Sequence, residues 1–269
     1  MNQSERRRFL IEALLDESPQ YQNTAIPADA DGQKSLLRGL MNIRDAKPCS
    51  NEFLRVQDEY LREEIRAHGI TDADSLTSAQ PGIYLWQGDI TTLRCDAIVN
   101  AANSGMTGCY VPNHRCIDNA IHTFAGVQLR QRCAEIMEQQ GEPEPVGEAK
   151  ITPAYNLPCR YVIHTVGPFV PGRVTPLERA QLRRCYDACL RLAAENKLES
   201  IAFCCISTGE FHFPNEAAAS IAIEAVRSLL QTPTSIKKVI FNVFKDSDKA
   251  IYERLLSEFN PSAPSPCGL

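Results

Sequence analysis

A chain of 269 residues with 43% hydrophobic and 23% charged side chains is too long for a minimal stapled domain and buries an ample core unaided. A formal net charge of −5 offers no basic footprint for gripping nucleic acid through its phosphates. No apolar stretch approaches the roughly 20 residues of a membrane span, so neither nucleic acid nor membrane is an expected partner.

The N-terminus, MNQSERRRFLIEALLDES, carries a cationic patch, but Glu5, Glu12 and Asp16 interrupt it before a long apolar run develops, unlike a signal or transit peptide. Eleven cysteines is an odd number, and the adjacent pair Cys204 and Cys205 reads as buried strand rather than a disulfide ladder. The expected compartment is therefore a reducing cytoplasm, where clustered Cys and His are metal ligands rather than half-cystines.

Residues 1–80 read as an N-terminal helical extension. Phe53, Val56, Tyr60, Leu61 and Ile65 recur at helical spacing among charges, with Pro48-Cys49-Ser50 before the run and Gly69 after it. Residues 71–81, TDADSLTSAQP, are polar and turn-rich, which predicts a linker or boundary. From there to residue 269 a second unit is expected. Short β-branched runs appear at IYLWQ, DAIVNAA, RYVIHTV, SIAFCCIS and KKVIFNVF, and the segments between them fit helices at roughly 114–139, 175–196, 214–231 and 246–259. Strands apolar throughout belong in a sheet buried on both faces, and the alternation with helices predicts a three-layer α/β/α sandwich.

In such sheets ligands bind beyond the carboxyl ends of the strands. Four junctions stand out there: GDIT at 88–91, NAANS at 100–104, HTVGP at 164–168 and STGEFHFP at 207–214. Small residues turning into a helix at Pro214-Asn215-Glu216 can aim several N–H groups at an anion such as a pyrophosphate, although an ordinary turn and helix cap would read the same. Asp89 suits an exocyclic amine, and Asn100 and Asn103 suit sugar hydroxyls; each is equally able to form a turn with its own backbone.

GDIT, DAIVNAANS, DNAIHTFAG, GEAKITPAYNLPCRYVIHTVGP and STGEFHFP closely resemble the macrodomain family of ADP-ribose-binding modules, in order, over about 82–259. The resemblance implies a mixed, largely parallel sheet between helices, with ADP-ribose in the crevice. It assigns Asp89 and Ile90 to adenine, Asn100 and Asn103 to the distal ribose, and Ser207, Thr208, Gly209, Glu210 and Phe211 to the loop around phosphates and ribose. Asp118 aligns with the acidic residue beside the distal ribose in hydrolytic members. With Asn103 it is the expected catalytic pair, as general base or as the group that orients water; the alternative is an Asp favoured by a helix start.

One departure is specific. Between the NAAN turn and Asp118 the family carries a glycine-rich run, whereas this chain has GCYVPNHRCI, which is similar to the C-x4-H-x-C pattern of a zinc-dependent subclass that removes ADP-ribose from modified proteins. Two thiolates and an imidazole favour zinc over magnesium or calcium. Three protein ligands at Cys109, His114 and Cys116 leave one tetrahedral position open for chemistry. A coincidental cluster that holds no metal and a structural site closed by His122 or Cys133 are the competing readings, and Cys116 would face substrate as well as metal.

The expected function is thus a hydrolase, with one Zn2+ per chain, that removes mono-ADP-ribose from modified protein side chains, most plausibly Asp or Glu esters. Its expected partners are ADP-ribose and mono-ADP-ribosylated protein. A reader without turnover, a hydrolase of O-acetyl-ADP-ribose or a related small derivative, and a redox sensor built on the cysteines are the rivals. His122 and His164 are expected to be buried and hydrogen-bonded, and the helices of 1–80 have no assigned role.

Overall fold

The computed structural model describes residues 1–258; residues 259–269, which include the last position of the helix expected at 246–259 and the end of the second unit, lie outside the described residues. Three helices come first. α1 (Gln3–Asp16) opens on a capping box in which Asn2 accepts from the Glu5 N–H and Glu5 accepts from the Asn2 N–H. α2 (Ala30–Ile43) is capped by Asp29, and α3 (Asn51–His68) runs from the Ser50 cap to Gly69 as its spacing predicts. Phe53, Val56, Tyr60 and Leu61 of α3 pack with Leu10, Ile11 and Leu14 of α1 and Leu37 and Leu40 of α2 in a core of their own.

The segment 71–81 differs from the expected linker. It carries β1 (Thr71–Asp72) and β2 (Ser78–Gln80). There follow β3 (Ile83–Gln87), β4 (Leu93–Arg94) and β5 (Ala97–Ala102), then α4 (Ile117–Ala125) and α5 (Val127–Gln140). The rest of the chain runs β6 (Ala149–Pro153), β7 (Tyr161–Val166), α6 (Pro176–Glu195), β8 (Ser200–Phe203), α7 (Asn215–Leu230), β9 (Lys238–Val243) and α8 (Asp246–Glu258).

Among the described residues, β1 and β4 form a small parallel pair, and the main sheet has the order β2-β3-β9-β8-β5-β7-β6. Its five inner strands are parallel and both edge strands antiparallel. Helices α6, α7 and α8 pack together on one side of this sheet, and α4 and α5 on the other, which makes the three-layer α/β fold with a mixed, mostly parallel sheet. Of the inner strands, β5, β7, β8 and β9 are buried nearly end to end, as both-face coverage requires, whereas β3 beside the edge is only partly buried after Ile83.

The helix expected at 114–139 is two helices. Gly126 separates them with φ +99° and ψ 171°, a conformation that essentially only glycine adopts. The kink lets Val127 enter the core of the N-terminal helices, while Ile65 of α3 joins the core around the sheet. The two cores are thereby interlocked. No helix among the described residues is long and apolar enough to cross a membrane.

Candidate functional site

Five parallel strands bring their carboxyl ends to one edge of the sheet, and the sequence-selected residues lie there. Asp89, exposed after β3, caps the short turn Ile90–Thr92 by accepting from the Thr91 N–H at 2.9 Å and the Thr91 hydroxyl at 2.7 Å. Ile90 itself is buried. Beyond β5, the half-buried Asn103 donates to the Gly108 carbonyl at 3.1 Å and to Asp118 Oδ2 at 3.3 Å. Asn100 does not reach the crevice surface. Its side chain is fully buried and donates to Asp118 Oδ1 at 2.8 Å, with Nδ1 of His164 at 3.2 Å behind it.

Asp118 stands in the first turn of α4, enclosed and held by these two amides. Burial raises its carboxyl to about 6, against the pull of Asn100, the more distant Arg130 guanidinium and Asn103. It is therefore a carboxylate whose proton affinity has been moved close to neutrality, the range in which a proton acceptor works best.

Cys109, His114 and Cys116 come together beside it. Their ligand atoms lie within 4.8 Å of one another, with Cys109 Sγ 3.4 Å from His114 Nδ1, and all three side chains are partly accessible. Cys116 is the N-cap of α4 and its sulfur accepts from the Asn119 N–H at 3.4 Å. Burial raises the Cys116 thiol, and the nearby Cys109 and Asp118 add to that, so an added cation is what would favour its thiolate. Two sulfurs and one imidazole nitrogen converging on one point, without a fourth His, Cys, Asp or Glu among the described residues, fit a borderline-soft divalent ion with an open position. His122 and Cys133 do not complete this group: they cluster with His164 in a separate, fully buried trio. His164 makes the expected buried hydrogen bonds, to Thr152 Oγ1 at 2.9 Å and Asn100, whereas the ring nitrogens of His122 have no hydrogen-bond partner and its Nε2 lies 3.5 Å from Asp118.

The loop after β8 closes the arrangement. Ser207 is buried with φ +64°, Thr208 turns back onto the Cys205 carbonyl, and Gly209 and Glu210 are exposed. Glu210 Oε1 is 3.6 Å from His114 Nε2, so this loop meets the Cys–His loop directly. Phe211 packs edge-on to Phe169 at 6.0 Å. Gly167 allows this approach, because a Cβ there would lie 2.0 Å from Ser207 Oγ. No side-chain cap occupies the start of α7, leaving its first N–H groups without that partner.

One residue of the crevice rim was missed from sequence. Phe244, directly after β9, is 75% exposed beside Gly88, whose N–H donates to the Val243 carbonyl. It is the final aromatic of KKVIFNVF, a run read from sequence as buried strand.

The chain is similar to known proteins along most of its length. The Macro domain profile matches residues 99–222. A protein of Treponema medium called protein-ADP-ribose hydrolase is 58% identical over 261 residues, covering 96% of this chain and all of that protein. The chain belongs to the macrodomain family.

A second protein-ADP-ribose hydrolase, from Staphylococcus aureus strain MRSA252, is 49% identical over 92% of this macrodomain protein and 94% of its own length. Among solved structures, the Trypanosoma brucei macrodomain in complex with ADP-ribose superposes with a TM-score of 0.63 at 30% identity, covering 81% of this chain and 94% of that one. The Oceanobacillus iheyensis macrodomain with ADP gives 0.59 at 36% identity, over 65% and 90%. The Treponema relative matches so much of this macrodomain protein that the similarity extends into the N-terminal helices.

Proposed function

We propose that this macrodomain protein hydrolyses mono-ADP-ribose from modified protein side chains, acting on Asp or Glu esters with one zinc ion held by Cys109, His114 and Cys116, in the cytoplasm. The observation that carries the reading is the convergence of these three ligand atoms within 4.8 Å next to Asp118. Similarity to two proteins called protein-ADP-ribose hydrolases supports the activity.

In this reading the crevice binds the ADP-ribosyl group lengthwise. Asp89, Ile90 and the exposed Phe244 take the adenine, and the N–H groups of the 207–211 loop and the α7 start take the phosphates. Asn103 and Asp118 take the distal ribose. Asn100, being buried, acts by fixing Asp118 rather than by touching the sugar. The exposed Glu210 and the half-buried Phe211 close over the ribose from the opposite loop.

Asp118, ionised above about pH 6, accepts a proton at Oδ2 from the attacking water. The bond between ribose and the side-chain carboxyl breaks, water supplying the hydroxyl to one fragment and a proton to the other. A zinc ion, when bound, supplies Lewis acidity to a nearby oxygen or lowers the pKa of a coordinated water.

The test is release of ADP-ribose, followed by mass spectrometry, from proteins carrying a defined glutamate ester, a defined serine linkage, or free O-acetyl-ADP-ribose. Release from the ester by the native chain but not by Cys116→Ala is expected. Binding of ADP-ribose with no release from any of the three would make the protein a reader.

A further inference from the structure

The Cys109–His114–Cys116 loop has no regular secondary structure of its own, and its backbone adopts left-handed conformations at Met106 and Asn113 as well as Gly108. Loops of this kind hold a geometry only when something outside them does so. Here the outside element is α2, which lies in the N-terminal helical layer.

Arg38 and Asn42 are one helical turn apart on α2 and both face the loop. The Arg38 guanidinium donates from Nη2 to the carbonyl of His114 at 3.2 Å, and from Nη2 and Nε to Asn119 Oδ1 at 2.9 and 3.3 Å. Asn119 in turn donates its amide to the Val111 carbonyl at 3.1 Å and its backbone N–H to the Cys116 sulfur. Asn42, only 1% exposed, accepts from the Asn113 N–H at 3.0 Å and donates to the Thr123 hydroxyl of α4 at 2.9 Å. Between them Gly39 lets the helix approach, since a Cβ there would come within 3.3 Å of the Asn113 amide and 3.7 Å of Pro112. A buried guanidinium, Arg130, completes the support: it donates to the α2 carbonyl of Asn42 at 2.6 Å and to the Cys109 carbonyl at 3.4 Å. Each of the three ligands is thus bonded to α2 directly or through one intermediary.

We propose that Arg38 and Asn42 are positioning residues for the metal ligands, so that the N-terminal helical layer sets the affinity and coordination geometry of the Cys109–His114–Cys116 site. This rests on the reading above that the trio holds zinc. It gives the N-terminal helices, unassigned from sequence, a role in the chemistry. Partners that orient metal ligands from outside are each worth about 10- to 100-fold in metal affinity, and a bidentate guanidinium is not replaced by an ammonium.

The test compares full-length native protein with Arg38→Ala, Arg38→Lys, Asn42→Ala and the control Arg8→Ala, a variant of an exposed α1 side chain. Zinc affinity is measured by competition with a chromophoric chelator, and cobalt(II) is substituted to record the visible bands of the site. Zinc binding is expected to weaken about tenfold or more in Arg38→Ala and Asn42→Ala, and less in Arg38→Lys. The cobalt bands should change in the same order, and Arg8→Ala should match the native protein. Thermal unfolding of the metal-free proteins separates positioning from folding. If Arg38→Ala or Asn42→Ala proves unstable, a folded Arg38→Lys with native zinc affinity and native cobalt bands overturns the proposal, as do folded alanine variants with those properties. Native protein that takes up neither metal would overturn the zinc reading and this inference with it, a result distinguishable from loss in the variants alone.

Discussion

The side-chain amide of Asn100 donates to Asp118 Oδ1 at 2.8 Å, with Asn100 fully buried and Asp118 nearly so. A residue selected for sugar binding therefore serves as a support for the carboxylate. Asn100→Ala would leave a buried carboxylate short of a donor, a loss of about 2 kcal/mol for a bond to a charged group. Urea unfolding should register that loss. Release of ADP-ribose should fall with it, because the carboxyl would sit higher and swing more freely. Native stability in Asn100→Ala would mean that Asp118 is held without it.

His164 gives a prediction of the opposite chemical kind. Fully buried between Asn100 and Thr152, it is held neutral, its pKa pushed down to about 3 by burial. A His whose folded pKa lies below the unfolded value of about 6.5 contributes stability that is fully present above that value and is lost as pH falls through the window toward 3. The slope for one such group approaches 1.4 kcal/mol per pH unit, so about 2 kcal/mol should disappear by pH 5. His164→Gln should have a flatter stability curve between pH 6.5 and 5. Parallel curves for native and variant would show that His164 does not titrate on unfolding.

What could be read beforehand followed from burial. β5, β7, β8 and β9 are covered on both faces, so they appear in sequence as unbroken apolar runs, and their order with the helices identifies the layers. Edge strands carry no such mark. β2 is Ser-Ala-Gln and β6 includes Lys150 and Pro153, because one side of each needs no partner. The Cys–His trio was legible because its three members lie within eight residues, whereas Arg38 and Asn42 are more than seventy residues from the atoms they hold. Only folding brings those together.

Gly126 is the joint between the two cores. A Cβ there would lie 2.6 Å from Gln128 Oε1 and 2.7 Å from Gln57 Nε2, while Gln57 Oε1 accepts the Val127 N–H at 2.9 Å. Gly126→Ala combines an unfavourable backbone conformation with those clashes and should cost about 2 kcal/mol or more. Chemical denaturation would measure it. A loss below about 0.5 kcal/mol would mean that α3 and α5 can shift apart without consequence.

If the trio holds zinc as proposed, removing the metal should separate activity from folding. The two apolar cores lie on α1, α2 and α3 and around the sheet, and neither includes Cys109, His114 or Cys116. Protein dialysed against a strong chelator should therefore keep its far-ultraviolet circular dichroism and lose the release of ADP-ribose. Added zinc should restore release, and magnesium should not, since two sulfurs and one nitrogen are poor ligands for so hard a cation. Because thiols must lose protons on binding, and burial raises that of Cys116, zinc affinity should also fall as pH is lowered. Undiminished release from protein shown by elemental analysis to be metal-free would separate the trio from the reaction.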